Sequence, residues 1–453
     1  MKRVIIFILC LAVVFQAMGN AAVPPSIANL KPTGVSDLKW NALLAKISKG
    51  AGTKTKLIAN DGDMGDRFGG SVSLWGNRAL VGAPNNDTIA GKQSGEVYVF
   101  DFDTTTGWTL TTKLNASAGG AFDHFGTSVS LWGDRALIGA PFYNGSTAGS
   151  SIGAAYVFDF DSATGKWSET IKLTGLDFEA DSFSQFGVSV SLHEDRALVG
   201  APGADVTFNG KEGVADIFEY DAKLQQWSHI TRMTRVLGET GDDFGGSVSL
   251  HGNQALIGAK GVSLGRGAAY VFKFNSITGQ WPQNPTYELT ANDGNLLDRF
   301  GGSISLWGDK ALIGAATADD IGEESGAVYI FVFDIKSGWN QFRKVTAIDG
   351  GPFDLFGSSV SLHENLFVVG AESNSARGAV YLFDLSGITS SSPIISSEKY
   401  TVSDGRSGDL LGSSVSLWAG RSLLGAPEAD GRELNTGAAY VFVADVIFID
   451  GFD

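Results

Sequence analysis

The chain repeats one pattern of residues seven times, and this repetition constrains its fold more than any other feature. Each copy opens on a Phe-Gly pair, or on Leu-Gly in the last copy, and successive copies start 55–61 residues apart. The anchor residues are Phe68, Phe125, Phe186, Phe244, Phe300, Phe356 and Leu411. Such repeats bury their apolar faces against one another, so the sequence predicts a repeat architecture.

Each copy contains short apolar stretches separated by turn residues. In the first copy they are Phe68–Leu74, Ala79–Pro84 and Gly95–Phe100, and they read F-G-G-S-V-S-L, A-L-V-G-A-P and G-E-V-Y-V-F. The Gly76-Asn77 pair between the first two stretches favours a tight hairpin, because Gly and Asn accept positive φ. A fourth stretch carries Trp108, Trp167, Trp227, Trp281 or Trp339 in five copies. Each copy therefore predicts a four-stranded antiparallel meander.

Seven such meanders predict an all-β fold, a seven-bladed β-propeller of four-stranded antiparallel blades over residues 53–443. The last copy reaches Phe442 without a Trp-bearing fourth stretch, whereas Thr53–Ile58 resembles the fourth stretches of other copies. We therefore expect an N-terminal strand to complete the last blade and close the ring. The alternative is that Val446–Ile449 forms this strand.

The two ends of the chain differ from the repeats. Lys2, Arg3 and the apolar run Val4–Phe15 predict a signal peptide over residues 1–21, followed by a leader over 22–52. The tail, residues 444–453, is either a sorting tag or a strand that caps the last blade. We expect an exported protein, secreted, periplasmic or at the cell surface, with no membrane span in the mature chain.

Composition restricts the partners. The formal net charge of −16 argues against nucleic acid, which requires a basic surface. The only cysteine, Cys10, lies inside the predicted signal peptide, so no disulfide is expected. We expect a monomer.

The motifs F-G-x-S-V-S-L, V-G-A-P and G-x-V-Y-V-F resemble the FG-GAP repeat of the integrin alpha-subunit head and of bacterial exported proteins. The resemblance covers residues 53–442 and implies a β-propeller that binds partners. Integrin-type repeats often carry a D-x-D-x-D-G calcium loop between the first two strands. Short turns such as Trp75–Arg78 stand at that place here, so those calcium sites and integrin-like adhesion are not carried over.

The acidic residues before the anchors allow a different calcium site. An Asp stands two residues before six of the seven anchors, at Asp66, Asp123, Asp242, Asp298, Asp354 and Asp409. The favoured interpretation is that these Asp side chains bond backbone N–H groups in turns. The alternative is a calcium site formed by Asp61, Asp63 and Asp66, because clustered carboxylates suit a hard cation.

An aromatic residue or His closes the first strand of every copy. By repeat symmetry these residues form a ring at one mouth of the channel, and they are Trp75, Trp132, His193, His251, Trp307, His363 and Trp418. Such a ring could hold a sugar or peptide. The alternative is packing over the hairpin turns.

The loops that follow V-G-A-P are long, polar and different in each copy, as in Asn85–Ser94 and Glu428–Thr436. Loops on a rigid scaffold commonly carry recognition. With no nucleophile elbow, zinc motif or phosphate loop, the sequence predicts a non-enzymatic scaffold without a cofactor that binds a protein or glycan through one face. The alternatives are a polysaccharide hydrolase or lyase using channel carboxylates, and a purely structural surface protein.

Overall fold

The computed structural model describes residues 54–444 except 146–148, 150, 176–182, 206–209, 236 and 389–395. The predicted signal peptide, the leader, Val446–Ile449 and the tail beyond residue 444 lie outside the described residues.

The described strands form seven four-stranded antiparallel sheets, which confirms the all-β propeller. The strands are, from the channel outwards, Ser71–Trp75, Arg78–Ala83, Glu96–Asp103 and Gly107–Leu114 in blade 1; Ser128–Trp132, Arg135–Ala140, Ala154–Asp161 and Lys166–Leu173 in blade 2; Ser189–His193, Arg196–Ala201, Val214–Asp221 and Gln226–Met233 in blade 3; Ser247–His251, Gln254–Ala259, Ala268–Lys273 and Tyr287–Leu289 in blade 4; Ser303–Trp307, Lys310–Ala315, Ala327–Asp334 and Gly338–Val345 in blade 5; Phe356–His363, Leu366–Ala371, Ala379–Asp384 and Glu398–Tyr400 in blade 6; and Ser414–Trp418, Arg421–Ala426, Ala438–Val443 and Thr55–Leu57 in blade 7. Single helical turns span Val262–Gly265 and Asn374–Ala376.

The ring is closed by a strand from the N-terminal end of the chain. Thr55–Leu57 pairs antiparallel with the third strand of blade 7, with Leu57 opposite Ala439. The Leu57 side chain is buried in the apolar core between blades 7 and 1. The predicted strand exchange is therefore confirmed, although the strand is shorter than the stretch Thr53–Ile58 identified from the sequence.

The anchor pair precedes the first strand of most blades instead of starting it. Phe68 forms an isolated parallel bridge with Gly437 of blade 7, and Gly69 has a φ of +92°. The fully buried Phe68 ring packs edge-on against Tyr98 with 5.1 Å between centroids. The anchor pair thus joins two blades. This role explains why it lies before the first strand and not within it.

Trp281 does not lie in a fourth strand, contrary to its place in the repeat pattern. The fourth strand of blade 4 is Tyr287–Leu289, and Trp281 lies in the preceding connection. Its ring is nevertheless buried, and its indole N–H donates to Glu219 of blade 3 at 3.3 Å. Trp281 is therefore buried like the Trp residues on the fourth strands of other blades, although it does not itself lie in a strand.

The two serines of the S-V-S motif bind each blade to the next one. The first serine donates to the carbonyl of the anchor glycine in the next blade, in the pairs Ser71–Gly126, Ser128–Gly187, Ser189–Gly245, Ser247–Gly301, Ser303–Gly357, Ser359–Gly412 and Ser414–Gly69. The second serine accepts from a leucine N–H in the next blade, in the pairs Ser73–Leu131, Ser130–Leu192, Ser191–Leu250, Ser249–Leu306, Ser305–Leu362, Ser361–Leu417 and Ser416–Leu74. Two unbroken circles of hydrogen bonds therefore surround the channel.

Replacing one of these serines should destabilise the ring measurably. In Ser130→Ala, the Leu192 N–H loses the acceptor that lies 2.9 Å away, and we expect a loss of about 1–2 kcal/mol in the free energy of unfolding. Ser168→Ala is the control, because Ser168 is exposed on the fourth strand of the same blade. Equal urea midpoints for the two variants would show that the circle of bonds contributes nothing.

Candidate functional site

The register of the strands separates the candidate residues onto two opposite faces of the ring. In blade 1, Trp75 pairs with Arg78 beside the first hairpin, while Ser71 pairs with Gly82 at the other end. The variable loop Asn85–Ser94 leaves from this second end. We call the end with the hairpins the hairpin face and the end with the variable loops the loop face. The predicted aromatic ring and the predicted loops therefore cannot form one site.

The structure brings all seven predicted aromatic and His residues together on the hairpin face. Adjacent rings contact one another around a complete circle, with centroid distances of 3.7–4.7 Å. We call this set the aromatic cap, and it consists of Trp75, Trp132, His193, His251, Trp307, His363 and Trp418. Trp307 and Trp418, on either side of His363, approach to 6.4 Å.

These mutual contacts favour the packing role of the cap. His193 and His363 are only 6% and 8% exposed, and the other five residues are partly buried. Each ring is engaged by two neighbours, which leaves the cap fewer free ring faces for a sugar to stack on. Ligand binding by the cap stays a prediction.

The cap holds its histidines in the neutral form. Burial, with smaller contributions from His251 and Arg196, lowers the pKa of His193 to about 4. Burial, followed by the charge of His251, lowers the pKa of His363 to about 4. The pKa of His251 is also lowered by burial, and its Nδ1 accepts the Gly308 N–H at 3.2 Å. A neutral, packed imidazole suits a structural role.

The six acidic residues that precede the anchors form one repeated turn on the loop face. Each carboxylate accepts the backbone N–H three residues earlier at 2.6–2.8 Å. The residues are Asp66, Asp123, Asp242, Asp298, Asp354 and Asp409, and all six are buried. This geometry supports the turn interpretation.

Asp61 is bound to blade 1 by two side chains. It accepts from the Tyr98 hydroxyl at 3.2 Å and pairs with the Lys113 ammonium. Burial raises its pKa, but the hydrogen bond and charge of Lys113 outweigh this and hold the pKa below its usual value. We call this Tyr–Asp–Lys arrangement the carboxylate latch.

The carboxylate latch recurs in other blades. Asp349 accepts from Tyr381 at 2.7 Å and from Lys399 at 2.7 Å in blade 6. Asp404 accepts from Tyr440, Lys54 and Lys56 in blade 7. In blade 5 Asp293 pairs with Lys344, but the Tyr329 hydroxyl has no hydrogen bond among the described residues. Each of these four Asp residues is followed by a glycine in the sequence. These Asp-Gly pairs therefore fasten the connections between blades.

The calcium site of Asp61, Asp63 and Asp66 stays a prediction, and the contacts of these residues favour the turn interpretation. Asp61 is held by Lys113, and Asp66 accepts from the Asp63 N–H at 2.6 Å. Within the described part of the chain, no three His, Cys, Asp or Glu side chains are grouped as metal ligands. Both carboxylates already have protein donors, which a calcium ion would have to displace.

Removing calcium should therefore leave the fold unchanged. We expect the thermal midpoint of the mature chain to be the same in excess chelator and in millimolar calcium, because a metal bound only by the native state would raise it. Differential scanning calorimetry measures this directly. A higher midpoint in calcium that disappears in Asp63→Asn would establish the metal site instead.

The loop face carries four bulky apolar residues that the sequence analysis missed. They stand three residues before the anchors of blades 2, 3, 5 and 6, and they are Phe122, Phe183, Leu297 and Phe353. Each is at least half exposed and has a φ between 64° and 73°. The equivalent residues of blades 1, 4 and 7 are Gly65, Gly241 and Gly408, also with positive φ. The glycines at the equivalent positions could have revealed this set from the sequence, since glycine marks a position with a left-handed backbone.

None of these four residues lies in a described strand, and half or more of each side chain is exposed. A left-handed backbone is unfavourable for Phe and Leu, and exposing them to water is unfavourable as well. Strain and apolar exposure that coincide on one face are features of recognition surfaces. We call these four residues the apolar rim.

Fold and site together define a closed seven-bladed β-propeller of the binding or scaffold type. A family model of the FG-GAP repeat matches seven segments of the chain, residues 52–100, 108–158, 167–218, 227–272, 285–331, 339–383 and 396–442. The chain belongs to the FG-GAP repeat family. No curated protein matches it significantly. Among the described residues, no helix has the length and apolar character needed to cross a bilayer.

Proposed function

We propose that this protein is an exported, non-enzymatic scaffold that binds a protein partner through its loop face. A binding role accords with the FG-GAP propeller, a family that is generally non-enzymatic. The observation that carries the proposal is the apolar rim, in which Phe122, Phe183, Leu297 and Phe353 are exposed at positions where glycine relieves the strain. A protein surface suits such residues, because interfaces bury aromatic and aliphatic side chains.

The loops around the apolar rim supply the variation that a specific interface needs. Ile89, Leu264, Ile321 and Leu434 are further exposed apolar residues in the loops between the second and third strands. Each belongs to a different blade, and the loop sequences differ. The scaffold therefore holds dissimilar loops in fixed positions around a common axis.

A glycan partner at the aromatic cap is the weaker alternative, because the seven rings already contact one another. Glycan binding lost in Trp132→Ala would restore it. Polysaccharide turnover by the purified mature chain, lost on a single Asp→Asn change, would overturn the non-enzymatic part of the proposal.

The proposal is tested by removing the apolar rim without changing the fold. We expect the quadruple variant Phe122→Gly, Phe183→Gly, Leu297→Gly and Phe353→Gly to keep its thermal midpoint, because relief of the left-handed strain offsets the extra chain entropy of glycine, each about 1 kcal/mol per site. The same variant should lose the partners that crosslink to the intact protein in the producing cells.

The matched control changes exposed apolar residues on the hairpin face. Leu224, Ile277 and Ile335 lie in turns between the third and fourth strands and are 71–95% exposed. Replacing these three by Ser should leave the crosslinked partners in place. Equal losses in both variants, or losses in neither, would contradict binding through the loop face.

A further inference from the structure

Blade 2 keeps the two donors of the carboxylate latch but lacks the carboxylate. Its linker has Ala118 where blade 1 has Asp61, and the two positions correspond in the hydrogen-bonded turn as well. The Gly119 N–H donates to Ala116 at 3.2 Å, as Gly62 does to Ala59 in blade 1. Tyr156 and Lys172 stand where Tyr98 and Lys113 stand, paired in the same strand register.

The Tyr156 hydroxyl differs from its counterparts in blades 1, 6 and 7. Its side chain is fully buried, and the hydroxyl has no hydrogen bond within the described ranges. The equivalent Tyr98, Tyr381 and Tyr440 all donate to a latch carboxylate. Burial raises the pKa of Tyr156, so the hydroxyl remains a donor at every physiological pH. An unpaired buried hydroxyl is costly unless something binds it.

Lys172 also lacks the negative partners of its counterparts. In blade 1, Lys113 pairs with Asp61 and with Glu96, whereas blade 2 has Ala118 and Ala154 at these positions. Among the described residues the Lys172 ammonium bonds only the Tyr143 hydroxyl, at 2.6 Å, and it lies 4.3 Å from the centre of that ring. Lys172 and Tyr156 stand opposite each other in the strand register, and among the described residues neither side chain bonds a carboxylate.

The other charges nearby do not fill this position. Asp123 is buried and accepts the Gly120 N–H, and Glu169 accepts from the backbone and hydroxyl of Ser117. Ala118 is exposed, so its position lies at the surface, as the half-exposed Asp61 does in blade 1.

We infer that Tyr156 and Lys172 bind a carboxylate of an external ligand in the position that Asp61 occupies in blade 1. In blades 1, 6 and 7 the equivalent Tyr and Lys side chains already bind the carboxylate of an Asp residue. The formal net charge of −16 disfavours a polyanion, so the ligand is a single carboxylate, such as an acidic side chain of a peptide. This site is distinct from the apolar rim, and either proposal can fail alone.

The first test supplies the missing carboxylate in solution. Acetate, compared with chloride at equal ionic strength, should raise the thermal midpoint of the full mature chain by about 1–3 °C. N-acetyl-aspartate amide should act at lower concentration than acetate if the source is a peptide side chain, and at equal concentration if it is a small acid. The response should disappear in Lys172→Met and in Ala118→Asp, which restores the internal carboxylate.

The second test creates the same vacancy elsewhere. Asp349→Ala removes the latch carboxylate between Tyr381 and Lys399, so it should lower the midpoint, and acetate should recover part of the loss. Tyr381→Phe should lower the midpoint, whereas Tyr156→Phe should not, because only Tyr381 has a partner to lose.

Three results would contradict the inference. One is a mature chain that ignores acetate while Asp349→Ala is rescued, which would mean that Tyr143 already fills the site in blade 2. Another is an Ala118→Asp variant that responds to acetate as strongly as the unchanged chain. A response to polygalacturonate without one to acetate or the aspartyl amide would also contradict a single-carboxylate ligand.

Discussion

Gly139→Ala is expected to destabilise the propeller by about 3–5 kcal/mol, a large effect for a single added methyl group. A Cβ at residue 139 would overlap the carbonyl oxygen of Gly187 in blade 3 and the hydroxyl of Ser128. These two atoms are hydrogen-bonded to each other at 2.8 Å. The added methyl would therefore push two blades apart and break a bond of the inner circle.

A matched control separates this steric effect from the general cost of replacing glycine. Gly120 precedes the anchor of the same blade, and neither glycine has a positive φ. A Cβ at Gly120 would meet its nearest atom at an ordinary 3.6 Å. Gly120→Ala should change the free energy of unfolding by less than about 0.5 kcal/mol. Urea unfolding followed by Trp fluorescence measures both, and a Gly139→Ala loss under about 1 kcal/mol would show that the blades separate with little loss of stability.

The same contact explains why the two glycine motifs occur together. The glycine of the G-A pair that ends each second strand faces the carbonyl of the anchor glycine in the next blade, in the pairs Gly82–Gly126, Gly139–Gly187, Gly200–Gly245, Gly258–Gly301, Gly314–Gly357, Gly370–Gly412 and Gly425–Gly69. The repeated motif therefore specifies the contact between neighbouring blades as well as the strands within one blade.

The sequence predicted the architecture because repetition, strand pattern and an incomplete last copy are all local signals. Seven anchors gave the blade number, and the resemblance of Thr53–Ile58 to other fourth strands gave the closure, confirmed by the pairing of Leu57 with Ala439. The hydrogen bond from Ser71 to Gly126 depends on the offset between blades, which no single repeat specifies.

The candidate site was predicted less completely. Symmetry placed the aromatic cap correctly, because equivalent residues must form a circle. It did not show that the rings contact one another, nor that the variable loops lie on the opposite face. The carboxylate latch joins Asp61 to Tyr98, residues far apart in the chain, so the Asp-Gly pairs could be interpreted only as turns or calcium ligands. Phe122 and Phe353 look like ordinary apolar residues until their backbone angles are known.

Acid is expected to weaken the propeller through two histidines of the aromatic cap. The pKa of His193 and of His363 is about 4 in the folded chain, against 6.5 for an ordinary imidazole, mainly because of burial. Folding therefore favours the neutral imidazole. The stabilisation is complete above pH 6.5 and falls as the pH drops towards 4, because the unfolded chain takes up protons that the folded chain does not. The full loss is at most about 3 kcal/mol for each histidine.

The double variant His193→Phe and His363→Phe should remove this part of the pH dependence. We expect it to unfold in urea at nearly the same midpoint as the original chain at pH 7, and at a higher midpoint at pH 4.5, because neither Phe can be protonated in the unfolded state. Trp132→Phe is the control, since it alters the packing of the cap without a titrating group and should keep the original acid sensitivity. If the double variant and the original chain lost stability in parallel between pH 6.5 and 4.5, the buried imidazoles would not be the groups that respond. The cap would then be more hydrated than its ring contacts of 4.0 Å between Trp132 and His193 indicate.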